Sequence, residues 1–386
     1  MSDDRLYVTA KQAASALGVS LPTLYAYVSR KLIRSQMVQG TRKRRYWKAD
    51  IDRLKGEQEA GGQADSSLGL INETKITLLT EHGLYYRGKS VIELAEKEAF
   101  ESVAALLWEA DVEIVFTAQL PATPPSYARL KRSLGDLSVF ERANPRLYDL
   151  SKAGMARSGA DLVRWYAAII GGVDGPSAAP LHEFIVSALS APAEFADIVR
   201  RLLILAADHE FDPTTFAVRA VANAGVTPCN AVMTGMIVSG GQRLQSGRAG
   251  AVSRLLEEVV GLADPRDSIV ARFRNGEAPP GFGPPKSRIQ DPRAESLMNA
   301  LEASLGDNPE FKRFRRAVDT ASEISGLRPD FILPATFVGR MLGLKGQELA
   351  LASLGRVAGW IAHAMEQYHS HELIRPRAAY TGPLPA

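Results

Sequence analysis

The chain has 386 residues, enough for two or three domains. At 46% hydrophobic and 23% charged it can build a substantial core, which excludes disorder over most of its length. The net charge of +3 hides an asymmetry: residues 1–60 hold twelve Lys/Arg against six Asp/Glu, and the other 326 residues carry a net −3. A polyanion partner is therefore expected for the N-terminal segment alone. No apolar run reaches the roughly 18 residues of a membrane-spanning helix, so no membrane is expected as a partner. The acidic start Met1-Ser2-Asp3-Asp4-Arg5 does not fit a secretory signal. One cysteine, Cys229, makes neither an internal disulfide nor a multi-cysteine metal site, and a cytoplasmic setting is expected. Cys229 itself reads as a small buried hydrophobe.

Residues 7–34 read as a helix pair. Thr9-Ala10-Lys11-Gln12 has the capping-box pattern, with Thr9 as N-cap. Ala13, Ala14 and Leu17 give an apolar face, and Gly18 suits a left-handed helix end. Ser20 caps a second helix, Pro22 is tolerated in its first turn, and Leu24, Tyr25 and Val28 continue the apolar face. This is the helix-turn-helix plan. The following run, Gln39 to Trp47, predicts a turn and a basic hairpin suited to phosphates. The candidate DNA contacts are Thr23, Tyr25 and Arg30 on the second helix, with Arg42, Lys43, Arg44 and Arg45 in the hairpin. The plainer alternative is a small helical domain with a solvated basic face. The stretches YVTAKQAASALGVSLPTLYAYVSRKLI and RKRRYWKADIDRL resemble the MerR-like winged helix-turn-helix, which implies a DNA-binding domain over residues 1–56.

Residues 57–69, EQEAGGQADSSLG, read as a linker. From residue 70 onward the pattern is helical, and alternating strand patterns are confined to about 74–87. Ser90 and Glu93 repeat the capping-box spacing, ahead of Val91, Leu94, Val103, Leu106 and Leu107 at helical intervals. Similar signals occupy 193–208, 214–224, 228–240, 249–262, 293–305, 310–326, 331–343 and 346–368. The expected fold class is all-α.

Several side chains are costly for a purely structural role. Leu349, Ala352, Arg356, Trp360 and His363 fall on one helix stripe, which turns Arg356 toward a core. Such an arginine needs an anion, whether a ligand or a buried carboxylate of the chain. His363 fits a satisfied core histidine. His209 follows an apolar helix whose C-terminus favours a cationic ring, and a structural role is the plainer reading. Arg293, Arg375 and Arg377 are open to a surface reading. Of the six histidines, His369 and His371 stand two apart, poor geometry for a metal, and no metal site is expected.

Residues 70–386 resemble citrate synthase. The stretches that carry the likeness are YYRGKSVIELAEKEAFESVAALLWEADV, ILAADHEFDPTTFAVRAVA, PGFG, DPRAESL, LASLGRVAGWIAHAMEQ and LIRPRAAYTGP. The resemblance implies an all-α homodimer with a large and a small domain, the small one at about 250–345. It implies an acyltransferase of the tricarboxylic acid cycle that joins acetyl-CoA to oxaloacetate, with acyl-CoA as substrate and no covalent cofactor. The oxo-acid ligands would be His209, Arg293 and Arg356, with Arg375 reaching over from the partner subunit. Several arginines and a histidine suit a small dicarboxylate, because Arg binds carboxylates through two parallel hydrogen bonds. The base that deprotonates the acetyl methyl matches Asp330.

The chain departs from the family at two histidines. Where the family has PLHGG, Gln245 stands at the histidine, or Ser246 in a register shifted by one; after Gly281-Phe282-Gly283 comes Pro284. Proline has no titratable group and no backbone N–H. Glutamine donates a hydrogen bond but delivers no proton. Each positioned acid–base group contributes about 10²–10⁴ in rate, so a loss of roughly three or more orders of magnitude is expected. Three readings remain. One is an oxo-acid-binding protein fused to a DNA-binding domain, with condensation weak or lost. The second is a working citrate or 2-methylcitrate synthase. The third is a non-catalytic partner subunit of a synthase.

Overall fold

The computed structural model describes residues 7–30, 32–38, 41, 43–48, 50–51, 54, 73–80, 83–122, 135–241, 243–244, 249–283, 292–370 and 374. Arg42, Gln245, Ser246, Pro284, Arg375 and the 57–69 linker lie outside them. The chain divides into two compact units, Met1–Glu73 with Ile374–Ala386, and Thr74–Leu373.

In the first unit β1 (Tyr7–Thr9) runs directly into α1 (Ala10–Ala16). The capping box forms as read: Gln12 N–H donates to Thr9 Oγ1 at 3.3 Å, and Thr9 N–H to Gln12 Oε1 at 2.9 Å. Gly18, at φ +62°, makes the tight turn to α2 (Leu21–Ser29), whose Thr23 N–H is taken by Ser20 Oγ at 3.3 Å. Two strands follow, β2 (Ser35–Met37) and β3 (Arg44–Trp47), and β3 is the centre of an antiparallel β1-β3-β2 sheet. The core is Ala13, Ala14, Leu17, Leu24, Ile33, Tyr46 and Ile51. One expectation changes. Tyr25 does not continue the apolar face; it is 52% exposed while Leu24 is buried. Adjacent helix positions point about 100° apart, so one face does not hold both.

The second unit opens with an antiparallel meander, β4 (Thr77–Thr80), β5 (Gly83–Tyr86) and β6 (Lys89–Ser90). Helices then follow in order: α3 (Val91–Lys97), α4 (Phe100–Trp108), α5 (Val112–Val115), α6 (Gly135–Ala143) and, after a 3₁₀ turn at Pro145–Tyr148, α7 (Lys152–Gly171). Next are α8 (Leu181–Ala188), α9 (Phe195–Ala206), α10 (Pro213–Ala222), α11 (Pro228–Ser239), α12 (Ala249–Gly261) and α13 (Arg266–Arg274). The strand β7 (Phe282–Gly283), α14 (Pro292–Leu305), α15 (Pro309–Ser325), the strand β8 (Arg328–Pro329), α16 (Ile332–Met341) and α17 (Ala350–Ser370) complete it. The all-α class holds, and the strands of this unit are two to four residues long. In the region expected as the small domain, α12 packs on α15 and α16, and α13 packs on α15.

The last helix, α17, is the axis of the unit and touches α4, α7, α9, α10 and α11. It is apolar nearly all round, with Leu354, Val357, Ala358, Trp360, Ile361 and Ala364 buried, as a helix enclosed by others must be. Trp108 of α4 donates its indole N–H to Ala358 O at 2.9 Å. Cys229 is buried with its thiol against Leu137 O, and burial pushes the thiol pKa far above its ordinary value. That environment disfavours the thiolate and fits the hydrophobic reading. No helix among the described residues is long and apolar enough to cross a membrane.

Candidate functional site

The site in the second unit begins where α9 runs out. Past Ala206 the chain turns through Ala207, Asp208, His209 and Glu210, with Glu210 at φ +57°. Asp212 then caps α10, its Oδ1 accepting Thr215 N–H at 2.7 Å, and Pro213 takes the first helical position. This turn lies directly against α17 because α17 has glycine at two positions one turn apart. A Cβ on Gly355 would stand 2.4 Å from Leu203 O, and one on Gly359 would stand 2.2 Å from Ala207 O. Gly359 N–H instead donates to Ala207 O at 3.1 Å.

That close approach delivers the α17 stripe to the turn. Arg356 donates from Nη1 to Asp208 Oδ1 at 2.6 Å, and from Nη2 to Asp212 Oδ2 at 2.7 Å and Thr215 Oγ1 at 2.8 Å. Asp208 is fully buried, and its other oxygen takes Thr77 Oγ1–H at 2.6 Å and stands 3.1 Å from His363 Nε2. Burial pushes the Asp208 carboxyl up. The His363 ring, the Arg356 guanidinium and the hydrogen bonds from His363 and Thr77 outweigh it and hold the group well below the usual carboxylate range. Arg356 is raised: burial lowers it, and Asp208 and Asp212 more than reverse that. Tyr86 backs the turn, its hydroxyl accepting Asp208 N–H at 2.8 Å. Behind His363, Arg219 joins Glu366 at 2.6 Å and Gln367 at 3.1 Å.

Arg293 enters from the first turn of α14, nearly buried, with its guanidinium 4.8 Å from the centre of the Phe331 ring. Phe331 follows Asp330, which is fixed twice. Its N–H donates to Gly281 O at 2.9 Å, and its Oδ1 accepts Ile332 N–H at 3.0 Å. The antiparallel pair β7–β8 sets Phe282 opposite Pro329, so the glycine-rich turn lies beside Asp330. Gly281 has φ +83°, which favours glycine there.

A cavity of about 310 Å³ joins these elements. Its walls include His209, Asp212, Arg243, Arg293, Phe331, Ile332, Arg356 and Trp360. Three of the residues singled out from the sequence thus share one pocket, and Asp330 stands immediately before two wall residues. The stripe through Leu349, Ala352, Arg356 and Trp360 lines it as the spacing predicts. Sequence reasoning missed Asp208, Thr77, Asp212 and Arg243. Asp212-Pro213-Thr214-Thr215 carried a legible N-cap signal, and Arg243 lies beside the PLHGG-like stretch. Nothing local marked Thr77 as a partner of Asp208, 131 positions away. Among the described residues no group of three His, Cys, Asp or Glu side chains is placed to hold a metal.

In the first unit Tyr25, Arg30, Lys43 and Arg44 are exposed, while Thr23 and Arg45 are half-buried. Arg45 stacks over Tyr7 at 5.0 Å, Tyr7 meets Trp47 edge-on at 5.0 Å, and Arg34 stands 5.3 Å from the centre of the Trp47 ring. Arg34 also grips Asp50 through two parallel bonds of 2.9 and 3.0 Å. Alternation along β3 puts Arg45 on the face opposite buried Tyr46, where Tyr7 half-covers it, whereas Arg44 shares the Tyr46 face and is exposed at the start of the strand.

This helical fold gathers a histidine and three arginines, His209, Arg243, Arg293 and Arg356, in one pocket. Residues 111–377 match the citrate synthase C-terminal domain model, and the chain belongs to the citrate synthase family. Residues 7–59 match a helix-turn-helix domain model. The 2-methylcitrate synthase of Shewanella oneidensis is 27% identical over 366 residues, covering 85% of this chain and 94% of its own. The citrate synthase of Haloferax volcanii is 32% identical over 188 residues, 47% of this chain and 48% of its own. Among solved structures, citrate synthase from Thermoplasma acidophilum, in ternary complex with carboxymethyl coenzyme A and oxaloacetate, aligns with a TM-score of 0.68. That alignment is 20% identical and covers 82% of this chain and 95% of the other.

Proposed function

We propose that this protein is an oxo-acid-binding member of the citrate synthase family, coupled to a DNA-binding domain, with condensing activity weak or lost. The single observation that carries the reading is the shared pocket of His209, Arg293 and Arg356. Oxaloacetate, citrate or a related acid is its ligand, and the partner subunit's Arg375 completes the site in a homodimer. Gln245 and Pro284 in place of the family histidines remove the groups that handle protons and polarise carbonyls. Helix-turn-helix dimers read paired half-sites, so a ligand that alters subunit geometry alters DNA affinity.

Footprinting with the full-length protein tests this. A protected palindromic site that shifts on adding oxaloacetate or citrate is the expected result, and failure to bind both DNA and any such acid overturns it. Replacing Lys43 and Arg44 by alanine should weaken binding evenly across sequences and reduce the salt slope of log K by about two. An unchanged slope would remove the hairpin from the DNA contacts.

One observation favours the second reading, an active synthase using acyl-CoA. Asp330 is fixed by Gly281 and Ile332 beside the glycine-rich turn, a fitting place for a base. The absence of both histidines weighs against ordinary efficiency.

A further inference from the structure

We infer that Asp212 is a specificity-determining residue of the pocket, holding the part of Arg356 that a ligand's second carboxylate would take. The inference rests on the oxo-acid reading above. An arginine pairs with a carboxylate through two parallel N–H bonds from one edge of its fork. Nη2 of Arg356 spends both hydrogens inside the protein, on Asp212 and Thr215, and Nη1 holds Asp208. Every two-pronged edge includes one of these nitrogens. The side chain is only 11% exposed, so the guanidinium has little room to turn toward a second partner.

The two protein carboxylates differ in kind. Asp208 is buried beneath Arg356 and fixed by Thr77 and His363, out of reach of a ligand. Asp212 is 32% exposed and forms part of the pocket wall. It is also held in place, because its other oxygen caps α10. An incoming carboxylate aimed at Arg356 must displace Asp212 or sit beside a like charge. A single carboxylate seated on Arg243, exposed on the same wall, meets no such obstacle. Asp212 therefore weakens dicarboxylates relative to monocarboxylic 2-oxo acids.

Calorimetric titration of the full-length protein with oxaloacetate and with pyruvate tests this in wild type, Asp212→Asn and Asp212→Ser. Asparagine and serine are both good N-caps, so α10 keeps its cap while the charge is removed. Each variant should bind oxaloacetate about tenfold tighter or more, and pyruvate within about threefold of wild type. Oxaloacetate affinity that is unchanged or weaker in both variants, with wild type binding it, overturns this inference alone. No binding of either acid by any of the three proteins overturns the oxo-acid reading and this inference with it.

Discussion

Replacing Gly359 with alanine should destabilise the protein by about 3 kcal/mol or more, near the upper end for overpacked cores. The new Cβ would lie 2.2 Å from Ala207 O and 2.6 Å from Asp208 Oδ1. One neighbour is backbone and the other a carboxylate held by Arg356, Thr77, His363 and the Glu210 N–H, so neither yields cheaply. Relief requires α17 to move off α9, which also lengthens the Arg356–Asp208 bond. Gly261, at the end of α12, is the control, because a Cβ there meets nothing within 4 Å. Gly261→Ala should be neutral or stabilise by up to about 1 kcal/mol through the unfolded chain. Denaturant midpoints of both variants decide the matter. A Gly359→Ala protein as stable as Gly261→Ala would contradict the close approach that builds the pocket.

Asp208→Asn should cost about 3–5 kcal/mol, the range for breaking a buried ion pair by removing one partner. The amide cannot accept on the atom it turns into a donor, and Arg356 loses one of its two anions. The pH dependence follows from the depressed carboxyl. In the unfolded chain an aspartate titrates near pH ~4, and in the fold it titrates lower. The unfolded state therefore binds the proton first. The stabilisation from Asp208 is fully present above pH ~4 and is lost as pH falls toward the folded value. Denaturant midpoints taken from neutral pH downward should fall in wild type over that window, with the fall reduced in Asp208→Asn. Parallel acid limbs in the two proteins would show that Asp208 is not held ionised by its partners.

Much of the fold was legible because its signals are local. Thr9 with Gln12, Ser20 with Pro22, and Gly18 between them fix two helices and a turn within fourteen residues of chain, and the structure follows them. The same holds for the stripe of α17, since one helix sets the spacing of Leu349, Ala352, Arg356 and Trp360. Tyr25 was misplaced because an aromatic ring next to Leu24 suits an apolar face by composition but not by angle. The site's anions were harder. Arg356 was legibly in need of a carboxylate, yet its partners lie 148 and 144 positions away and depend on two glycines that let helices touch. Thr77 belongs to a strand far from the turn it supports. Long-range pairing of this kind is set by packing, which no local pattern encodes.

The most direct test is free-thiol release from acetyl-CoA, with and without oxaloacetate, beside Asp330→Asn. Median enzymes turn over at about 10 per second, and two missing acid–base groups lower that by roughly three orders of magnitude or more. The expected result is oxaloacetate-dependent release at or below about 10⁻² per second, in a protein whose melting temperature oxaloacetate still raises. Release faster than that, abolished by Asp330→Asn, would show a working condensing enzyme and contradict the account.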